Sequence, residues 1–250
     1  MTDAVRINKY LSTHGYCSRR EADRLIEQGK VFINNVKARL GDLVDSSDDI
    51  RVLGRDKKER PEKIYILLNK PEGVVTTTNR RVRNNVMDLI DIPERVFPVG
   101  LLETQSCGLL LFTNDGTIGN RLLNPRYTYE TEYVVVVDQS ISKLDLGHLQ
   151  NGIELRDGKT PPTKVRLLSP NRFAIILGEE RPRQIKRMCE ALGYQIINLM
   201  RTRMGPLKMV SSYPQGHWQH LTEKEVKDLK KMVGLETKRS KFSKTKKQSR

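Results

Sequence analysis

Apolar and polar positions alternate with two different periods along this chain. Over the first fifty residues, Ile7, Tyr10 and Leu11 recur at i, i+3 and i+4, the spacing of one helix face. Gly15 ends that pattern. Ser18-Arg19-Arg20-Glu21 follows with the spacing of a capping box, serine as N-cap and glutamate reaching back to its amide. Ala22, Leu25 and Ile26 then give a second amphipathic helix, closed by Gly29. Val31-Phe32-Ile33 and Val36-Lys37-Ala38 flank Asn34-Asn35. A tight hairpin is predicted there, because asparagine tolerates the left-handed backbone such a turn needs.

Further along, short β-branched or aromatic runs take over: Ile64 to Leu68, Tyr133 to Val137 and Arg172 to Leu177. These read as strands. Gln184 to Leu192 carries Ile185, Met188 and Leu192 at i, i+3 and i+7 and reads as a helix stopped by Gly193. Asp115 follows an apolar run and precedes Gly116, which suits a turn, and Trp218 is expected to pack at the core edge. Strands recurring with occasional helices predict an α+β fold. A small α/β module over residues 1–53 would precede a larger domain over 63–235, built on a mainly antiparallel mixed sheet. Residues 54–62 lack an apolar anchor and contain Pro61, the composition of a linker. Residues 236–250 are rich in Lys, Ser and Thr and cannot bury enough surface to fold, so a disordered tail is expected.

Charge sharpens the picture. The 250 residues carry a formal net charge of +15 and a pI of about 9.8. The excess is unevenly shared: nine Lys/Arg against eight Asp/Glu in residues 1–53, but seven against one in residues 236–250. Such a distribution suits a polyanionic partner bound through its phosphates. Cys17, Cys107 and Cys189 lack Cys-x-x-Cys spacing, so neither a zinc site nor a disulfide framework follows. The four histidines are scattered, and there is no GxGxxG or Walker pattern. No metal and no cofactor is expected. No apolar run approaches the roughly 20 residues of a membrane span, and the amino terminus lacks the apolar stretch of a secretory signal. A cytoplasmic, monomeric protein without membrane contact is expected.

Residues 6 to about 52 resemble the S4-type RNA-binding domain. Its pattern of Asn-Lys-Tyr, Ser-Arg-Arg-x-Ala-x-x-Leu-Ile and Gly-x-Val is matched nearly throughout, with Asn35 where a glycine is usual. The resemblance implies RNA contact through Arg6, Lys9, Arg19, Arg20 and Arg24, which lie on or between the two expected helices.

Roughly residues 63–222 resemble the RsuA-like family of ribosomal RNA pseudouridine synthases in seven motifs, present in family order. The most telling is Val99-Gly100-Leu101-Leu102-Glu103-Thr104-Gln105-Ser106-Cys107-Gly108-Leu109-Leu110-Leu111-Phe112-Thr113-Asn114-Asp115-Gly116. The family pattern reads Gly-Arg-Leu-Asp, a Ser/Thr, then Gly-Leu-Leu-Leu-x-Thr-Asn-Asp-Gly. Leu101 therefore stands at the arginine position and Glu103 at that of the catalytic aspartate. Asn69-Lys70-Pro71, Glu132-Tyr133, Arg183-Gln184-Ile185-Lys186-Arg187-Met188 and Arg201-Thr202-Arg203-Met204-Gly205-Pro206-Leu207 are further matches.

The resemblance implies isomerisation of one uridine in ribosomal RNA, free or in a pre-ribosomal particle, on a nucleotide flipped from its stack. Glu103 would act as the catalytic carboxylate, Tyr133 would face the base, and Lys186 would keep the carboxylate charged and aimed. Lys70, Arg183 and Arg187 would hold the RNA. The extra methylene of Glu103 moves its carboxylate by about 1 Å, a displacement that can cost about a hundredfold in rate. Leu101 removes a cation but can fill the place of an unstacked base as an apolar wedge. The alternative, drawn from the paired loss of aspartate and arginine, is an RNA-binding or ribosome-assembly factor that no longer turns over.

Overall fold

The computed structural model describes residues 4–55, 61–209 and 213–235. The basic tail, and residues 56–60 of the expected linker, lie outside the described residues.

The amino-terminal module runs β1 (Val5–Arg6), α1 (Ile7–Thr13), α2 (Arg19–Glu27), β2 (Val31–Ile33), β3 (Val36–Lys37), β4 (Leu43–Val44) and β5 (Ile50–Val52). Ile7 and Leu11 of α1 and Ala22 and Ile26 of α2 are buried together with Val31, Val44, Ile50 and Val52. The two predicted helix faces therefore meet over a three-stranded sheet, ordered β3-β2-β5. Asn34 and Asn35 take φ of 48° and 67°, as the β2–β3 hairpin turn requires.

One local expectation fails. Ser18 Oγ accepts from the Glu21 amide at 3.1 Å, but the glutamate does not complete the box. Its carboxylate pairs with Arg55, which also donates to the Tyr16 carbonyl. Arg55 is thereby docked on the module, two residues beyond the expected boundary. At the other end of the expected linker, the Glu62 carbonyl accepts from Asn114 at 2.7 Å and belongs with the larger domain.

That domain contains β6 (Tyr65–Lys70), β7 (Phe97–Val99), β8 (Ser106–Thr113), α3 (Gly116–Leu122), β9 (Thr131–Val137), α4 (Lys143–Asn151), β10 (Glu154–Leu155), β11 (Gly158–Lys159), β12 (Lys164–Ser169), β13 (Arg172–Leu177), α5 (Gln184–Ala191), β14 (Ile196–Met204), β15 (Leu207–Lys208), β16 (Trp218–His220) and α6 (Glu223–Met232). Nine strands form one sheet along the path β12-β13-β9-β14-β8-β6-β16, with β7 on β8 and β15 on β14. Every pairing in it is antiparallel except that of β14 with β8.

Both faces of the sheet are covered, which is why β8 is apolar without alternation. Its residues divide by parity. Leu110 and Phe112 join a core with Leu149 of α4 and Met188 of α5, while Leu109 and Leu111 join one with Ile118 of α3 and Leu229 of α6. Trp218 packs, partly buried, against the first core, and the three cysteines are buried thiols. Asp115 does more than turn the chain. It caps α3 and accepts from Lys63 Nζ at 2.7 Å and Tyr65 Oη at 2.8 Å. Among the described residues, no helix is long and apolar enough to cross a membrane.

Candidate active site

The central strands carry the site because their register puts three motif residues side by side. Arg201 of β14 pairs with Tyr133 of β9 on one side and with Gly108 of β8 on the other. Gly108 has φ of +103°, and a Cβ there would meet the Arg201 carbonyl oxygen at 2.3 Å. Only glycine allows these two strands to approach this closely. The segment leading into β8, residues 101–105, then opens onto a cleft of about 1260 Å³.

That segment is held at three successive carbonyls. Leu102 O accepts from Thr76 Oγ1 at 2.7 Å, Glu103 O from the Ser106 amide at 3.0 Å, and Thr104 O from the Gly73 amide at 2.7 Å. Lys70 completes the set. Its ammonium donates to Ser106 O at 2.7 Å and Pro71 O at 2.9 Å, with the side chain fully buried. Burial lowers its pKa from the ordinary 10.5 to about 8. The expectation that Lys70 holds RNA is therefore corrected: a cation wrapped in backbone carbonyls cannot reach a phosphate. It fastens the segment that carries Glu103.

Glu103 presents its carboxylate to the cleft, and the nearest cation is not the expected one. Arg183 Nε lies 3.8 Å from Glu103 Oε1, with side chains 56% and 40% exposed. Lys186, one turn into α5, lines the same cleft but forms no ion pair with another described residue. Arg183 sits at the N-cap of α5 with φ of 54°, a left-handed backbone that aims it back across the cleft. Leu101 stands 70% exposed on the cleft wall. Arg187, expected to bind RNA, is held by Asp157, with Nη1 2.7 Å from Oδ1; this contact keeps the Asp157 carboxyl below the ordinary carboxylate range. Arg187 Nε and Nη2 are buried without a hydrogen-bond partner among the described residues.

Tyr133 is buried and lines the cleft with its hydroxyl donating to Glu180 Oε1 at 2.9 Å. Burial raises the phenol above its usual value, with Arg201 opposing and Glu180 adding to the rise. It stays protonated at neutral pH. Arg201 is itself 3% exposed, donates from Nε to Leu109 O at 2.8 Å, and leaves Nη2 without a hydrogen-bond partner. Neither Arg201 nor Glu180 was anticipated as a site residue. Arg201 lies inside a motif without any local mark of its interior position. Glu180 follows another glutamate and reads as an ordinary solvated loop residue.

In the amino-terminal module, Arg6, Lys9, Arg19, Arg20 and Arg24 are all exposed, and none forms an ion pair with another described residue. They remain available to an anionic partner.

The model of the RNA pseudouridylate synthase family matches residues 64–191, and that of the S4 domain matches residues 5–50. The chain is 41% identical over 236 residues to a dual-specificity RNA pseudouridine synthase, RluF, of Salmonella typhi, covering 93% of this chain and 81% of that one. It is 39% identical over 237 residues to ribosomal large subunit pseudouridine synthase B of Bacillus subtilis, covering 91% and 96%. A crystal structure of a pseudouridylate synthase superposes with a TM-score of 0.66 at 26% identity, covering 90% of this chain and 99% of that one. With its S4 module, its synthase domain and a cleft lined by the motif residues of both central strands, this chain belongs to the family of RNA pseudouridine synthases.

Proposed function

We propose that this protein converts a specific uridine of ribosomal RNA to pseudouridine, with Glu103 as the catalytic carboxylate. The reaction breaks the bond from ribose C1′ to uracil N1, forms one from C1′ to C5, and removes the C5 proton while N1 gains one, so that the product is an isomer of the substrate. It needs a placed carboxylate and a held base, and no net redox change. The observation that carries the proposal is the fastening of residues 102–106 by Thr76, Gly73 and Lys70, which presents the Glu103 carboxylate beside Arg183 in a cleft wide enough for a nucleotide. Such preorganisation is what positions a reacting group. Tyr133 would face the uracil, while Leu101 offers an apolar side chain to the stack the base has left. Ribosomal RNA as substrate is supported by the Bacillus subtilis relative, named for the large ribosomal subunit, and by the basic face of the S4 module. Arg6, Lys9, Arg19, Arg20 and Arg24, which form no ion pair with another described residue, would guide the RNA by its phosphates.

Tritium release from ribosomal RNA transcripts labelled at uridine C5 tests the proposal. Wild-type protein is expected to release label, Glu103→Ala to release none, and the double change Glu103→Asp with Leu101→Arg to exceed wild type. Salt-sensitive RNA binding without release by the wild type would overturn it and identify a noncatalytic RNA-binding protein.

A further inference from the structure

One short segment, residues 178–183, serves both candidate catalytic side chains. Arg181 at its middle donates to Gly158 O and to Lys159 O, each at 3.1 Å, clamping the segment to the β10–β11 hairpin. The Arg181 amide also donates to Oε1 of buried Gln184 at 2.9 Å. Arg183, on one side of this clamp, reaches Glu103. Glu180, on the other side, reaches the Tyr133 hydroxyl at 2.9 Å. Behind the ring, buried Arg201 leaves Nη2 without a hydrogen-bond partner. A phenol and a guanidinium thus both line the cleft, and the carboxylate that accepts from the phenol comes from this clamped segment.

We propose that Glu180 is a positioning residue, which acts through the Tyr133 hydroxyl to fix the ring against which the uracil is held. The inference rests on the reading of the cleft as a uridine site. Tyr133 has its backbone in a central strand, and the hydroxyl end of its ring is the part that Glu180 reaches. Glu180 fastens that end, and the Arg181 clamp keeps Glu180 in reach without ordering a mobile loop at the moment of binding. Errors of about 1 Å in such placement are costly to rate, whereas the ground-state grip on RNA comes from phosphate contacts elsewhere. The effect should therefore fall on kcat rather than on KM.

The test measures kcat and KM by tritium release for Glu180→Ala, Glu180→Gln, Tyr133→Phe and the double variant Glu180→Ala with Tyr133→Phe. Glu180 is exposed, so its replacement does not threaten the fold, and unchanged melting temperatures check this. Glu180→Ala and Tyr133→Phe are each expected to lower kcat about tenfold, the scale of one hydrogen bond to a charged group, with KM within about twofold of wild type. Glu180→Gln, whose amide oxygen still accepts, is expected to keep most of the rate. The double variant should lose no more than either single one, because both remove the same contact. Losses that multiply, or an unchanged or raised kcat in Glu180→Ala, would overturn the assignment while leaving the wild-type reaction standing. A wild type without release would overturn the reading of the site itself, and this assignment with it.

Discussion

Adding one methyl group at Gly108 tests the tightest point of the sheet. A Cβ at that position would lie 2.3 Å from the Arg201 carbonyl oxygen, 2.9 Å from the Arg201 amide nitrogen and 3.0 Å from Met200 Cγ. The first contact is more than 1 Å inside the roughly 3.5 Å of ordinary carbon contacts, and its partner is backbone, which cannot rotate away. The φ of +103° adds strain of about 1–2 kcal/mol for any L side chain. Relief requires β14 to move off β8, where Leu199, Met200 and Arg201 pair with Ser106, Cys107 and Gly108. Losing two or three such pairings at about 1 kcal/mol each brings the total for Gly108→Ala to about 4 kcal/mol. In a domain of this size that corresponds to a melting temperature lower by about 8–16 °C. Gly100→Ala is the control. Its φ is +82°, but no atom lies within 4 Å of the added Cβ, so only backbone strain applies and the shift should be a few degrees. Calorimetry on the two variants and the wild type reads the difference. Gly108→Ala melting within about 2 °C of Gly100→Ala would refute the claim that strand approach at this glycine sets the geometry of the cleft.

Two further expectations concern other parts of the molecule. Lys70 titrates near 8 in the folded chain against 10.5 ordinarily. Between those values the unfolded chain binds more protons, so stability rises with pH through the window. The stability of wild type relative to Lys70→Met should therefore grow by up to about 3 kcal/mol from pH 7 to pH 10.5. Denaturant midpoints across that range check it, and a constant difference would show that the buried ammonium is not destabilised. In the S4 module, Arg19→Ala and Arg20→Ala should each reduce the slope of log affinity for RNA against log salt by about 1, with tritium release at saturating RNA unchanged. Filter binding at several salt concentrations reads the slope, and a slope equal to that of wild type would remove the residue from the RNA-facing surface.

Much of the fold is legible in the chain because its signals are local. Ile7, Tyr10 and Leu11 lie within one and a half turns of each other, Ser18 caps an amide three residues on, and Asn34 and Asn35 adopt positive φ by their own chemistry. The synthase domain is less open to such reading. The stretch from Lys143 to Asn151 buries only Leu149, too little periodicity to mark a helix. The helix from Gly116 to Leu122 contains two glycines, which weaken any local helical signal.

What the sequence by itself determined is the inventory: two modules, a strand-rich catalytic domain, and the motifs that carry Glu103, Tyr133 and Lys186 to one family. Only the tertiary structure decided which of these side chains meet. Arg183 rather than Lys186 pairs with Glu103, eighty residues away. Lys70 is buried beneath a segment that begins some thirty residues later. Glu180 reaches Tyr133 across 47 positions. Capping and periodicity act over three or four residues, whereas these contacts depend on how β8, β9 and β14 register within one sheet. That register is set by burial on both faces and by a glycine that lets two backbones touch.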